Sequence, residues 1–176
     1  MLRKALTTLC LAAMSVMCMA ACVSEDSETV ADGDIVVSGQ LLPEFSVLTA
    51  DGREVSPASL TGCPAVIVFF NTGCGDCRKE LPAVQRLFDE YGSKAGFVCI
   101  SRAEGAASVA DYWQEAGLTL PYSAQVDRGV YSLFAQAGIP RVYVADAAGV
   151  VRAVFTTKVS YRKLKAALVN LLPENL

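Results

Sequence analysis

Two cysteines with two residues between them, Cys74 and Cys77, lie in the run Asn71-Thr72-Gly73-Cys74-Gly75-Asp76-Cys77-Arg78-Lys79-Glu80. They follow the continuous β-branched and aromatic stretch Ala65-Val66-Ile67-Val68-Phe69-Phe70 and open a segment with helical periodicity. Sulfurs three positions apart on the first turn of a helix come close enough to form a disulfide. The first sits at the amino end, where unsatisfied backbone N–H groups and the helix dipole favour a thiolate over a thiol. The spacing therefore points to a redox pair in which Cys74 attacks and Cys77 resolves. A fixed disulfide or half of a zinc site competes with that reading, but zinc needs three or four ligands. The chain has no histidine and no second Cys-x-x-Cys.

The charges around the pair oppose one another. Asp76, beside Cys74, raises the energy of a thiolate, while Arg78, Lys79 and the dipole lower it. Glu80 lies nearly one turn beyond Cys77 on a similar helix face, in place to act as an acid/base for the resolving thiol; the dipole alone also favours a glutamate there. Cys63 and Cys99 are expected to stay outside the chemistry. If the two buried strands run side by side in parallel, Cys99 aligns with the middle of the first and Cys63 precedes its start, beyond disulfide reach.

The elements that position these residues follow from pattern. An uninterrupted apolar strand at 65–70 suits a sheet covered on both faces. Two short strands flank the Asp51-Gly52 turn, and 56–62 is a helical turn ended by glycine. Leu81, Val84, Leu87, Phe88 and Tyr91 recur at helical spacing up to Gly92, with Pro82 expected to bend the axis. Gly96 to Ser101 is a second buried strand. A helix at 106–116 presents Val109, Tyr112 and Trp113, and 120–126 contains an edge strand broken by Pro121. A helix at 129–136 turns Val130, Leu133 and Phe134 inward. A hairpin through Ala147-Ala148-Gly149 and a helix at 160–172 close the chain. Strands alternating with helices, then a hairpin and a last helix, indicate an α/β fold with a mixed central sheet flanked by helices.

The amino terminus reads differently. Arg3 and Lys4 precede an uncharged, mostly apolar stretch from Ala5 to Ala21, the pattern of an export signal. Met19-Ala20-Ala21-Cys22 resembles a bacterial lipobox, in which Cys22 would carry lipid; an ordinary cleaved signal or an uncleaved anchor helix are the alternatives. On the lipidated reading Cys10 and Cys18 leave with the signal. Three regions are expected: a signal peptide at 1–21, an acidic lipid-anchored linker at 22–38, and one domain at 39–176. Of the 15 Lys and Arg and 18 Asp and Glu, removal of Arg3 and Lys4 leaves 13 against 18, a net charge near −5. No basic run or glycine-rich phosphate loop is present, so neither nucleic acid nor nucleotide is an expected partner.

Gly39-Gln40-Leu41-Leu42-Pro43-Glu44-Phe45, Asp51-Gly52, the run from Phe69 to Pro82 and Gly138-Ile139-Pro140 ahead of a strand together resemble the TlpA/ResA-like thioredoxin family, related to AhpC/TSA proteins. The resemblance implies a thioredoxin-like fold with an N-terminal β-hairpin and an insertion between the second buried strand and Pro140. It implies that Ile139-Pro140 is a cis peptide beside the cysteines, offering an extended edge to substrate. It also implies a functional role for Glu80, with Gly73 and Ile139 at the substrate groove; Arg141, where the family commonly has threonine, would add a cation near that groove. For Arg141 a solvent-facing strand position is the other reading. Gly73 stands where the family usually has tryptophan, leaving the nucleophile more open, and Val68 where plain thioredoxins carry a buried aspartate.

The expected activity is thiol-disulfide exchange by a monomer that reduces exported protein disulfides and draws electrons from a membrane thiol reductase. No cofactor is expected beyond the Cys74/Cys77 disulfide itself. The protein is expected in a bacterial cell envelope, facing the periplasm or the outer surface. A peroxiredoxin-type peroxidase is one alternative, although Thr72 lies two residues rather than three before Cys74 and the preceding proline is missing. A non-catalytic binding or copper-delivery module is another, weakened by the lack of histidine.

Overall fold

A computed structural model of the chain describes residues 33–156 and 158–173. The expected signal at 1–21, Cys10, Cys18, Cys22 and the linker up to residue 32 lie outside the described residues.

The first strands named among the described residues form a minimal hairpin, β1 (Val47–Leu48) and β2 (Glu54–Val55), closed over the Asp51-Gly52 turn. Helix α1 (Pro57–Leu60) follows, started by a reciprocal capping box between Ser56 and Ser59. Then come β3 (Ala65–Phe70), α2 (Gly75–Tyr91), β4 (Gly96–Ser101), α3 (Ala106–Glu115) and β5 (Tyr122–Ser123). The order ends with α4 (Gly129–Phe134), β6 (Arg141–Ala145), β7 (Val151–Thr156) and α5 (Tyr161–Val169). Five strands form one sheet in the order β5-β4-β3-β6-β7, with β3 parallel to β4 and antiparallel to β6. The segment between β4 and Pro140 contributes α3 and the edge strand β5, which extends the sheet beside β4.

Strand β3 lies at the centre, and every residue in it is buried. Alternate side chains serve two separate cores. Val66, Val68 and Phe70 pack with Cys77, Leu81 and Leu164 of the flanking α2 and α5. Ala65, Ile67 and Phe69 face Phe45, Tyr131 and Phe134 on the other side. A strand covered on both faces cannot show polar alternation, which is why the run at 65–70 is uniformly apolar. Each large side chain so buried contributes about 1.5–3 kcal/mol.

Helix α2 buries Leu81, Val84 and Leu87 against this sheet and continues through Pro82 to the cap at Gly92. Across it, Lys165 of α5 reaches Glu90 at 2.7 Å. Cys99 pairs in register with Val68, as the parallel alignment required, and all four described cysteines are free.

Two expectations need correction. In α4 the inward side chain is Tyr131 rather than Leu133, which is 41% exposed. The helix is only Gly129–Phe134, and its core face is set by the 131/134 pair. The fold also begins before residue 39. The Gly33 carbonyl accepts from the Gln136 amide at 2.7 Å, and the Ile35 and Val36 amides donate to the Phe134 carbonyl at 3.1 and 3.0 Å. Val36 is 5% exposed, because a valine that reaches the core contributes more by burial than acidic neighbours contribute by solvation.

Candidate active site

Strand β3 ends at Phe70 and hands the chain to a tight loop that delivers Cys74 to the start of α2. The loop is built on Asn71: its carbonyl accepts from the Cys74 amide at 3.0 Å, and its side-chain oxygen accepts from the Gly73 amide at 2.9 Å. Asparagine suits this place because its side chain can complete a local turn. Gly73 is exposed and offers no side chain to shield the next residue.

Cys74 is the N-cap of α2, extended at φ −85° and ψ 115°, and its sulfur accepts from the Cys77 amide at 3.4 Å. Sulfur thus takes the role an oxygen usually plays at an N-cap. Cys74 is half-buried, whereas Cys77, one turn on, is fully buried in the core. Burial pushes the Cys77 thiol up to about 12, with its hydrogen bond to Cys74 adding to the rise. The Asn71 backbone and the more distant charge of Arg102 act in the opposite direction. The site therefore pairs one accessible sulfur with one held as a thiol.

Ile139-Pro140 is a cis peptide, as the resemblance implied. The Ile139 carbonyl faces the Cys74 sulfur at 3.8 Å, where the S–H is the donor, and Pro140 is buried beneath it. Cys74, Gly73 and Ile139 thus share one accessible patch.

The surrounding charges are paired among themselves. Lys79 contacts Asp76 at 3.1 Å; Arg78 contacts Glu115 at 3.6 Å and stacks over the Tyr112 ring at 4.8 Å. Glu80 lines a groove with Asp76, Lys79, Lys158, Val159 and Ser160. It is not among the groups that chiefly set the Cys77 thiol.

Arg141 departs from both readings of the sequence. Its side chain is 2% exposed, so it neither faces solvent nor lines the groove. Position 141 pairs with Phe69 in the β3–β6 ladder, and period-two alternation turns its side chain to the Phe69 face, away from the cysteine helix. There it forms an ion pair with Asp34.

Two participants had no signature in the sequence. Glu104 accepts from the Thr72 amide at 2.7 Å and from the Thr72 hydroxyl. Arg102 offers its carbonyl to the Asn71 side chain at 3.3 Å and lays its guanidinium over the Tyr131 ring at 5.2 Å. Both lie in the turn after β4, and only the parallel pairing of β3 with β4 brings that turn to the loop before Cys74.

Chemically, a half-buried sulfur at a helix start, a fully buried thiol one turn behind it and a backbone carbonyl opposite are suited to two successive exchanges. The Cys74 thiolate attacks a substrate disulfide, releasing one substrate thiol and forming a mixed disulfide. Cys77 then gives up its proton and attacks Cys74, so the pair is oxidised and the second substrate thiol leaves. These features define a thioredoxin-like thiol-disulfide oxidoreductase.

Similar proteins agree. The thioredoxin-like protein YneN of Bacillus subtilis is 25% identical over 136 residues, 76% of this chain and 79% of that protein. The thiol-disulfide oxidoreductase ResA of Geobacillus thermodenitrificans is 24% identical over 140 residues, 78% of this chain and 80% of that one. Among solved structures, a thiol:disulfide interchange protein of the thioredoxin family from Chlorobium tepidum superimposes with a TM-score of 0.68 at 28% identity, covering 78% of this chain and 99% of its own. A thio-disulfide isomerase from Thermus thermophilus gives 0.64 at 31% identity over 77% and 97% of the two chains. The chain belongs to the AhpC/TSA family, whose profile matches residues 38–154.

Proposed function

We propose that the protein is a membrane-tethered reductase of disulfides in exported proteins, working through Cys74 and Cys77. The asymmetry of the two sulfurs carries the reading. Cys74 stands half-buried at the start of α2 while burial holds Cys77 as a thiol one turn behind it, the arrangement in which the first sulfur attacks a substrate disulfide and the second resolves the mixed disulfide. The electron source would be a membrane thiol reductase, since an exported dithiol meets oxidising conditions and must be recharged.

The tether would be lipid on Cys22, in the lipobox-like Met19-Ala20-Ala21-Cys22. Among the described residues no helix is long and apolar enough to cross a membrane. The domain would then stand as a monomer at the periplasmic or outer face of a bacterial envelope. Gly73 and the half-buried Ile139 would border the substrate chain, and Glu80 would serve the resolving thiol across its groove.

Equilibration of the Cys74/Cys77 pair with glutathione tests the direction. A potential near about −270 mV, that of thioredoxin, is the expected result; one near about −120 mV, that of a strong oxidant, would overturn it. In the same preparation insulin should be reduced. Peroxide consumption without insulin reduction would instead indicate a peroxidase.

A further inference from the structure

We propose that Arg141, paired with Asp34, is a positioning residue for thiol-disulfide exchange, fixing through backbone carbonyls the segment that presents Ile139 to Cys74.

Three consecutive carbonyls ahead of Ile139 are held by side chains. Arg128 Nη2 donates to the Gln136 carbonyl at 2.5 Å. Arg141 donates to the Ala137 carbonyl from Nη2 at 2.6 Å and from Nε at 2.9 Å, and from Nε to the Gly138 carbonyl at 3.2 Å. The Tyr131 hydroxyl adds a 2.7 Å bond to the same Gly138 oxygen. Gly138 takes φ +82°, a left-handed conformation that aims its carbonyl back at these donors and that a side chain would resist. The guanidinium's remaining arm, Nη1, pairs with Asp34.

A planar fork with fixed donor directions holds two neighbouring carbonyls where an ammonium could hold only one firmly. The next carbonyl along the chain is that of Ile139, which faces the Cys74 sulfur. Its placement shapes the space through which a substrate disulfide approaches, and displacement of a reacting geometry by about 1 Å can cost on the order of a hundredfold in rate.

A buried ion pair is by itself weak support for stability, since apolar residues of similar volume often replace one without loss. That separates a positioning role from a purely structural one. Asp34 arrives from the strap 33–36, whose amides and carbonyl bond to residues 134–136. This strap lies ahead of residues 38–154, the stretch matched to the family.

Three variants in the full chain test the proposal, each followed by thermal melting and by the kcat and KM of insulin reduction. Asp34→Asn should lower the melting temperature, because Arg141 loses its counter-charge. The double variant Asp34→Leu/Arg141→Met should melt near the parent yet reduce insulin about tenfold more slowly, the loss appearing in kcat/KM. Wild-type kinetics in that double variant would overturn the proposal and leave the pair a structural element only. Arg141→Lys keeps the charge but not the fork; it should stay folded and lose about severalfold in kcat/KM. Should the double variant not fold, unchanged kinetics in Arg141→Lys would overturn the proposal equally well.

Discussion

Glu104 grips Thr72 at two points, its carboxylate oxygens taking the backbone amide and the hydroxyl of a residue two positions before Cys74. The turn that carries Glu104 is itself anchored: the Ala103 and Glu104 amides donate to the Asp127 and Gln125 carbonyls at 2.8 and 2.7 Å. Ala103 there adopts φ 54°, a left-handed conformation uncommon for a residue with a Cβ. A side chain from one loop thus sets the backbone of another.

Glu104→Ala should leave the Thr72 amide and hydroxyl without their partner. The expected cost is about 1–3 kcal/mol in urea unfolding, with slower insulin reduction by the folded fraction. Glu104→Gln retains one good acceptor and should lose less on both counts. Equal unfolding midpoints for Glu104→Ala and the parent would show that the contact contributes nothing.

Alkaline stability should depend on the redox state. The Cys77 thiol ionises at about 12 when folded, against its usual 9.0, because burial penalises the thiolate. As pH rises past 9 the unfolded chain gives up this proton first. The contribution to stability is therefore full below that point and lost progressively toward 12. Burial also pushes the Tyr143 phenol up to about 12, in the same direction. The urea midpoint of the reduced protein should fall between about pH 8 and about pH 11, and fall less in Cys77→Ala. The oxidised protein, in which Cys77 cannot ionise, should also show the shallower decline.

The acid limb should be governed in part by Glu90. Hydrogen bonds from Lys165 first, then Tyr161, hold its carboxyl down to about 2 from its usual 4.5. A depressed carboxyl stabilises the fold above its unfolded value, and that contribution disappears as pH falls toward 2. Lys165→Met should flatten the dependence of melting temperature on acid pH. Because the cluster is exposed, added salt should shrink the difference between variant and parent.

Trp113 lies between Phe70 and Tyr122, both at 4.8 Å between ring centroids, and its Nε1 donates to the Leu120 carbonyl at 2.9 Å. Trp113→Ala should cost about 3–5 kcal/mol. It is the chain's single tryptophan and shares a core with Cys77. Its fluorescence should therefore change on oxidation of the pair, and an emission spectrum identical in both redox states would show that the two are uncoupled.

The parts of this molecule that local pattern could convey were readable in advance. Strand β3 announced two-sided burial through six apolar residues in a row, and the cysteine spacing announced the pair. Glu104 could not be read because its partner lies 32 residues away and meets it only through strand pairing. Arg141 was misplaced for a related reason. An arginine is almost never fully buried without a partner, and this one's counter-charge comes from a distant acidic stretch that reads as a solvated linker. Leu133 and Tyr131 exchanged roles because a six-residue helix has room for only one inward stripe, and hydrophobicity alone does not say which.

The strap bearing Asp34 also decides where the protein can be shortened. A recombinant fragment cut at residue 38, the start of the family match, would discard Val36 and the counter-ion of Arg141 together. Losing one member of a buried pair commonly costs about 3–5 kcal/mol, a large part of a small domain's whole stability. A fragment intended for purification should start upstream of Gly33. One trimmed to the homologous core would be expected to express poorly for reasons unrelated to its cysteines.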